Sequence, residues 1–108
     1  MDKKTAICQY LKKNHTGGER AVYSRELQRL VSIDGRSLRR KSNSLRQDGY
    51  PICSDARGYY YADSQEEIND TVCRLNQMVT KVSNARTGLL YASIQDGEIT
   101  AELSVTIR

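Results

Sequence analysis

The chain has 108 residues, enough for one small domain with an appendage, and 38% of them are hydrophobic. Because it contains seven Tyr but neither Trp nor Phe, we expect a core of Leu, Ile, Val and Tyr. The charged fraction of 28% and the single Pro argue against a disordered chain, and no apolar run approaches the ~20 residues that a membrane span needs.

The net charge of +4 combines two halves of opposite sign. Residues 1–62 hold 13 Lys and Arg against 6 Asp and Glu, a net charge of +7. Residues 63–108 hold 4 against 7, a net charge of −3. A basic half of this size fits a polyanionic partner, and it also fits an ordinary solvated surface.

The three cysteines, Cys8, Cys53 and Cys73, are odd in number and widely spaced. No C-x-x-C pair or His/Cys cluster accompanies them, so we expect neither disulfides nor a zinc site. This usage indicates a reducing compartment, and we expect a cytoplasmic protein without membrane contact. Cys8 and Cys53 fall on apolar faces and are expected to be small core residues.

The first predicted helix covers Lys3 to Asn14, with Ala6, Ile7, Tyr10 and Leu11 forming an apolar stripe. The pair Gly17-Gly18 ends this region. The next segment, Ala21-Val22-Tyr23, is too short for an independent strand, but its apolar residues fit an additional strand beside a later hairpin.

Ser24 is expected to cap a second helix whose inner face is Leu27, Leu30 and Val31. A tight turn at 32–35 leads to a third helix, Arg36 to Arg46. Leu38 and Leu45 share one face of this helix, although Lys41 and Ser42 stand where further apolar residues are due. Arg36, Arg40, Asn43 and Gln47 form a polar stripe on the outer side.

A β-hairpin is predicted next, because Pro51-Ile52-Cys53 and Tyr59-Tyr60-Tyr61-Ala62 flank a five-residue loop that ends in Gly58. Alternation places Tyr60 on the face opposite to Tyr59 and Tyr61. These rings fit core packing or stacking on nucleic-acid bases. Helix, turn, basic helix and hairpin, in that order, predict an α+β winged helix-turn-helix domain at residues 1–62.

A long helix is predicted at 63–93, opened by a capping box of Ser64 and Glu67. Its apolar positions are spaced alternately by four and three residues, which is typical of a coiled coil. This pattern favours a homodimer that is joined through the long helix. The alternative is that the long helix packs against the first helix of the same chain. A turn and a strand follow at 94–108, where residues 99–107 alternate strictly between apolar and polar. The predicted dimerisation residues are Ile68, Val72, Leu75, Val79, Val82 and Leu89.

The segments Asp48–Ser54 and Arg57–Ala62, with Ser24–Leu27 and Gly35-Arg36 before them, resemble small winged-helix proteins encoded by phages and prophages of Gram-positive bacteria. The resemblance covers roughly residues 3–92 and includes the long helix after the hairpin. It implies DNA binding, with the third helix facing the duplex and Arg57 on the wing. The chain departs from the group at Lys41 and Ser42, where related sequences carry aliphatic residues.

Arginine and asparagine in the third helix have the chemistry of base readout. Arg pairs with guanine and Asn with adenine in the major groove, while further cations contact phosphates. Arg57 at the hairpin tip fits a minor-groove or phosphate contact, or a solvated side chain. The predicted DNA-binding residues are Arg36, Ser37, Arg39, Arg40, Asn43, Arg46 and Arg57.

The expected function is therefore sequence-specific binding of double-stranded DNA by a dimer, in phage or prophage transcriptional regulation or as a replication accessory. The alternative is a protein–protein docking module that uses the winged helix and the long helix as interfaces. His15 is the only histidine, and no nucleophile–base arrangement, phosphate-binding loop or metal-ligand cluster is present in the sequence. We expect no enzymatic activity, metal, cofactor or small-molecule ligand.

Overall fold

The computed structural model of the chain describes residues 2–94 and confirms the α+β class. The three N-terminal helices are α1 (Lys3–Asn14), α2 (Ser24–Val31) and α3 (Gly35–Gln47), with a 3₁₀ turn at Gly18–Arg20. The antiparallel hairpin consists of β1 (Ile52–Asp55) and β2 (Gly58–Tyr61), and the long helix α4 is Gln65–Ile94. The strand predicted at 99–107 lies outside the described residues.

The chain divides into two compact units. The first, Met1–Val72, contains the three short helices, the hairpin and the first turns of α4. The second, Cys73–Arg108, is helical over its described part, residues 73–94.

The core of the first unit is built from the apolar stripes of the three short helices together with the hairpin. Its buried residues include the predicted cysteines, and Tyr60 is only 2% exposed. Tyr59 and Tyr61, on the opposite face of β2, pack against the main cluster around Ile7, Leu11 and Leu27, to which Tyr60 does not belong. The core packing expected of at least one of these rings is thereby confirmed. The buried hydrophobic residues are Ile7, Cys8, Leu11, Val22, Leu27, Leu38, Leu45, Ile52, Cys53 and Tyr60.

The hairpin is tighter than predicted. Its strands pair from Ile52 opposite Tyr61 to Asp55 opposite Gly58, so the loop has two residues instead of five. The predicted pairing of the segment before α2 is confirmed, since Val22 and Tyr59 exchange backbone hydrogen bonds of 2.9 and 2.8 Å. Gly58 has a φ of +122°, and a Cβ there would collide with the carbonyl oxygen of Val22. Only glycine therefore fits at position 58, where β2 passes close to the backbone of Val22.

Two predictions about α2 are wrong. Tyr23 is its N-cap residue, while Ser24 lies inside the first turn and accepts a hydrogen bond from Gln28. Leu30 is 54% exposed instead of buried, because an eight-residue helix turns only Leu27 fully towards the core. At the other end of α2, the Lys3 ammonium donates to the carbonyl oxygens of Val31 and Ser32 at 2.6 and 3.2 Å. A lysine there satisfies carbonyl groups that the helix leaves unpaired.

The first turn of α4 is fixed to the loop after α1 through Glu67. As predicted, the Glu67 N–H donates to the Ser64 hydroxyl, at 3.2 Å. The Glu67 carboxylate does not return to Ser64; it accepts from the N–H groups of Asp63 and Gly18, both at 2.7 Å. One carboxylate thus joins the start of α4 to the 3₁₀ turn.

Candidate nucleic-acid interface

Helix α3 begins at a well-formed N-cap. Asp34 precedes it in an extended conformation, and its carboxylate accepts a hydrogen bond from the N–H of Ser37 at 2.8 Å. This bond lowers the pKa of Asp34, because it stabilises the ionised carboxylate. The backbone N–H of Ser37 is used by this cap, and the residue is half-buried. Of the predicted DNA-binding residues on α3, Ser37 therefore lies at the edge of the exposed surface.

One side of α3 faces the core and the opposite side faces solvent. Leu38, Ser42 and Leu45 are buried, and the 3.6-residue period then turns Arg36, Arg40 and Asn43 outward. All three are exposed, as is Gln47 one turn further on. The predicted outer stripe is therefore confirmed as a continuous exposed surface along the helix.

Ser42 takes the place of an apolar residue inside this packing. It is 1% exposed, and its hydroxyl has no hydrogen-bond partner among the residues that the structure describes. A buried hydroxyl without a partner carries an uncompensated desolvation cost. Helix α3 is thus anchored in the core by Leu38 and Leu45, and the buried hydroxyl of Ser42 between them destabilises this packing.

The arginines on the outer side of α3 remain available to a ligand. Arg36, Arg39 and Arg40 are all exposed. Within residues 2–94, none of their guanidinium groups forms a hydrogen bond or ion pair. Three exposed cations in five residues create a local positive potential that favours an anionic partner.

Arg46 has a different role from the one predicted. Its side chain is half-buried, and Nε donates to the carbonyl oxygen of Ile52 at 2.7 Å. Nη2 donates to the hydroxyl of Ser54 at 3.1 Å, and Nη1 donates to Oδ1 of Asn43 at 3.3 Å. Because its donors are directed at the hairpin and at a neighbouring side chain, we reassign Arg46 from DNA contact to positioning α3 and Asn43.

Arg57 lies in the hairpin turn, as predicted, but its side chain folds back. It forms a salt bridge of 2.7 Å with Asp55, which raises the pKa of Arg57, and its guanidinium carbon lies 5.7 Å from the centre of the Tyr60 ring. The guanidinium also covers Gly18 so closely that a Cβ there would collide with it. With 53% of its side chain exposed, Arg57 keeps a face for a phosphate but is not extended into solvent.

Two further exposed arginines, Arg25 and Arg29, lie on α2, which packs against α3. They are one turn apart, with the buried Leu27 between them on the other side of the helix. Sequence reasoning omitted them, although their spacing opposite Leu27 would have identified the exposed face. They add two exposed cations on the helix that packs against α3.

The predicted dimerisation residues differ strongly in exposure. Ile68 and Leu75 are half-buried, and Ile68 belongs to the first unit. Val79, Val82 and Leu89 are 66%, 69% and 72% exposed, and Val72 is 49% exposed. No described residue from 76 to 92 is buried, so this stretch offers no buried side chain for an intramolecular brace.

Other classes of site find little support in the described part of the chain. Residues 2–94 contain no group of three His, Cys, Asp or Glu side chains placed to share a metal ion. Over the same residues, no helix has both the length and the apolar character to span a membrane. Comparisons of the chain with protein-family models, curated proteins and solved structures gave no match. The resemblance to small phage-encoded winged-helix proteins therefore stays a prediction.

Proposed function

We propose that the chain is a winged helix-turn-helix protein that binds double-stranded DNA and reads its sequence with α3 in the major groove. The observation that carries this proposal is the exposure of Arg36, Arg39 and Arg40, whose guanidinium groups form no hydrogen bond or ion pair within residues 2–94, beside the exposed Asn43. These side chains project from the helix that follows the α2–α3 turn, the position from which such domains contact base edges.

The chemistry of the stripe suits base readout. Arginine bonds to guanine O6 and N7, and asparagine to adenine N6 and N7, each with a discrimination of about 1–3 kcal/mol when the contact is bidentate. Arg46 donates one hydrogen bond to Oδ1 of Asn43, which restricts the orientation of that amide. Arg25, Arg29 and the retained face of Arg57 supply phosphate contacts that fix the register.

The active form in this proposal is a homodimer joined through α4, because a two-fold dimer presents two recognition helices to a pseudo-palindromic site. The exposed valines of the second unit support self-association. The resemblance favours phage or prophage transcriptional regulation as the biological role. A role as a replication accessory protein would use the same DNA-binding module.

Selection from a random duplex library tests this proposal. The full chain, at about 150 mM salt, should enrich a palindromic sequence with two half-sites. Arg40→Ala and Asn43→Ala should each weaken binding to the selected site more than binding to random duplex, whereas Lys13→Ala, at an exposed position on α1, should change both little. Failure to enrich any sequence would contradict sequence-specific binding.

A docking module is the second candidate, favoured by the exposed apolar residues of α4. Salt dependence separates the two functions. For DNA binding, log K falls with log salt concentration by about 0.9 per neutralised phosphate. A docking module would bind duplex weakly or not at all at physiological salt.

A further inference from the structure

The second unit carries an apolar seam on an exposed helix. Val79 and Val82 are 66% and 69% exposed, and every described residue from 76 to 92 is exposed. Most helical stability in proteins comes from packing of an apolar face, and valine and threonine lower the intrinsic stability of a helix. A partner that covers the valines would therefore stabilise this stretch.

The spacing along α4 defines which positions face that partner. Alternate steps of three and four residues give two seam positions that recur every seven residues. In the usual notation, the a positions are Val72, Val79 and Arg86, and the d positions are Leu75, Val82 and Leu89. Arg86 is the one charged residue in this seam.

Arg86 discriminates between the two directions of pairing with a second copy. In a parallel, in-register pair, a positions face each other, so Arg86 would lie beside Arg86 of the other copy and the two charges would repel. In an antiparallel pair, a positions face d positions, and when all six seam positions overlap Arg86 lies against Leu75 of the other copy. Its aliphatic stem can then cover leucine while its guanidinium reaches water.

The distribution of charge along α4 favours the same direction. Residues 63–72 contain four acidic residues and no basic ones. Residues 73–94 contain Arg74, Lys81 and Arg86 and no acidic residue. A parallel pair sets every charged residue of α4 at the level of its own copy, whereas the antiparallel pair sets Glu67 and Asp70 opposite the uncharged residues 94 and 91. Opposed helix dipoles add to this preference.

We infer that two copies of the chain pair through antiparallel α4 helices, with Val72 opposite Leu89, Leu75 opposite Arg86, and Val79 opposite Val82. This inference rests on the self-association part of the proposed function and specifies its geometry. At 1.5 Å per residue, the seam from 72 to 89 is about 25 Å long. The two copies of Val72 therefore lie at opposite ends of the seam.

Disulfide crosslinking of the full chain tests this geometry. In a Cys73→Ser background, which removes the exposed native thiol, Val72→Cys and Leu89→Cys are prepared separately and then mixed before oxidation. The antiparallel pair predicts a disulfide-linked dimer in the mixture and none from either variant alone. Efficient self-crosslinking of each separate variant would overturn the antiparallel arrangement.

A second measurement uses a native cysteine that lies next to the seam. A spin label on Cys73, the exposed cysteine, reports the distance between two copies, while the buried Cys8 and Cys53 stay unlabelled. Antiparallel pairing places Cys73 opposite residue 88 and predicts an axial separation of about 22 Å, whereas a parallel pair places the labels side by side.

Sedimentation equilibrium distinguishes failure of this inference from failure of the proposed dimer. A chain that remains monomeric at all concentrations would refute self-association itself, and the antiparallel pair with it. A dimer with self-crosslinking at 72 and at 89 would refute only the direction of pairing. DNA binding is measured in a separate experiment, and the crosslinking result, parallel or antiparallel, does not decide whether the chain binds DNA.

Discussion

The Arg46 side chain joins α3 to the hairpin, because its Nε donates a 2.7 Å hydrogen bond to the carbonyl oxygen of Ile52. The same guanidinium reaches Ser54 on β1 and Asn43 one turn back on α3. A cation that sequence reasoning assigned to DNA is thus an internal connection. It fixes the helix relative to the hairpin and orients a residue of the exposed stripe.

Arg46→Ala should therefore destabilise the fold. Loss of three charge-assisted hydrogen bonds at a half-buried position is expected to lower the free energy of unfolding by about 1–2 kcal/mol. Urea denaturation measures this loss. Arg36→Ala, which removes an exposed arginine from the same helix, is the control and should change stability by less than about 0.5 kcal/mol. Equal effects of the two substitutions would show that Arg46 does not hold the hairpin.

Ser42→Ala should stabilise the protein. The substitution removes a buried hydroxyl that has no partner within residues 2–94, and alanine has the higher helix propensity. We expect a gain of about 1 kcal/mol in the free energy of unfolding. Ser44→Ala, at a half-buried position on the same helix, is the control, because it gains stability only through the higher helix propensity of alanine. A smaller gain at 42 than at 44 would mean that the Ser42 hydroxyl is bonded.

Asp34 should make the stability of α3 depend on pH. The hydrogen bond from the Ser37 N–H lowers the pKa of Asp34 in the folded state below the unfolded value of about 3.9. The cap therefore contributes fully above the unfolded pKa, and its contribution is lost as the pH falls through the folded pKa.

Asp34→Asn isolates this effect, because asparagine also caps a helix but does not titrate. Unfolding free energies from pH 6 down to about pH 2.5 should fall more steeply for the wild type than for the variant. Asp2, which caps α1 in the same way, is present in both proteins, so its contribution cancels. Parallel pH profiles would contradict the assignment.

Gly58→Ala should be severely destabilising. A Cβ at this position meets the carbonyl oxygen of Val22, a backbone atom that cannot move without breaking the bridge to Tyr59, and the φ of +122° is itself unfavourable for alanine. Gly49→Ala is the matched control, with a φ of +96° and no atom near the new Cβ. We expect a loss of about 1 kcal/mol at 49 and about 3 kcal/mol or more at 58. Similar unfolding midpoints in urea would refute the close approach.

Local signals in the sequence predicted much of the architecture. The bounds of α1, the position of α3 and the start of α4 follow from helical periodicity and capping residues, which act within a few positions along the chain. The pairing of Val22 with β2 was also anticipated.

Apart from the cap and inner face of α2 and the length of the hairpin loop, the errors concern contacts between distant parts of the chain. The roles of Arg46, Lys3 and the Glu67 carboxylate depend on which backbone groups fold next to them, and no local pattern encodes that. Lys4, paired with Asp48 at 2.6 Å, is a further example. The exposed stripe on α3 was predictable because a single helix determines it, whereas the direction taken by Arg57 depends on the hairpin, Asp55 and Gly18 together.

Fluorescence anisotropy with the selected duplex tests the central claim, that the outer stripe of α3 binds DNA. The decisive comparison is Arg36→Gln/Arg40→Gln against Lys12→Gln/Lys13→Gln, which removes the same charge from exposed positions on α1. We expect a loss of affinity of about 30-fold or more for the α3 pair, and a much smaller loss for the α1 pair. Equal losses for the two pairs would contradict it.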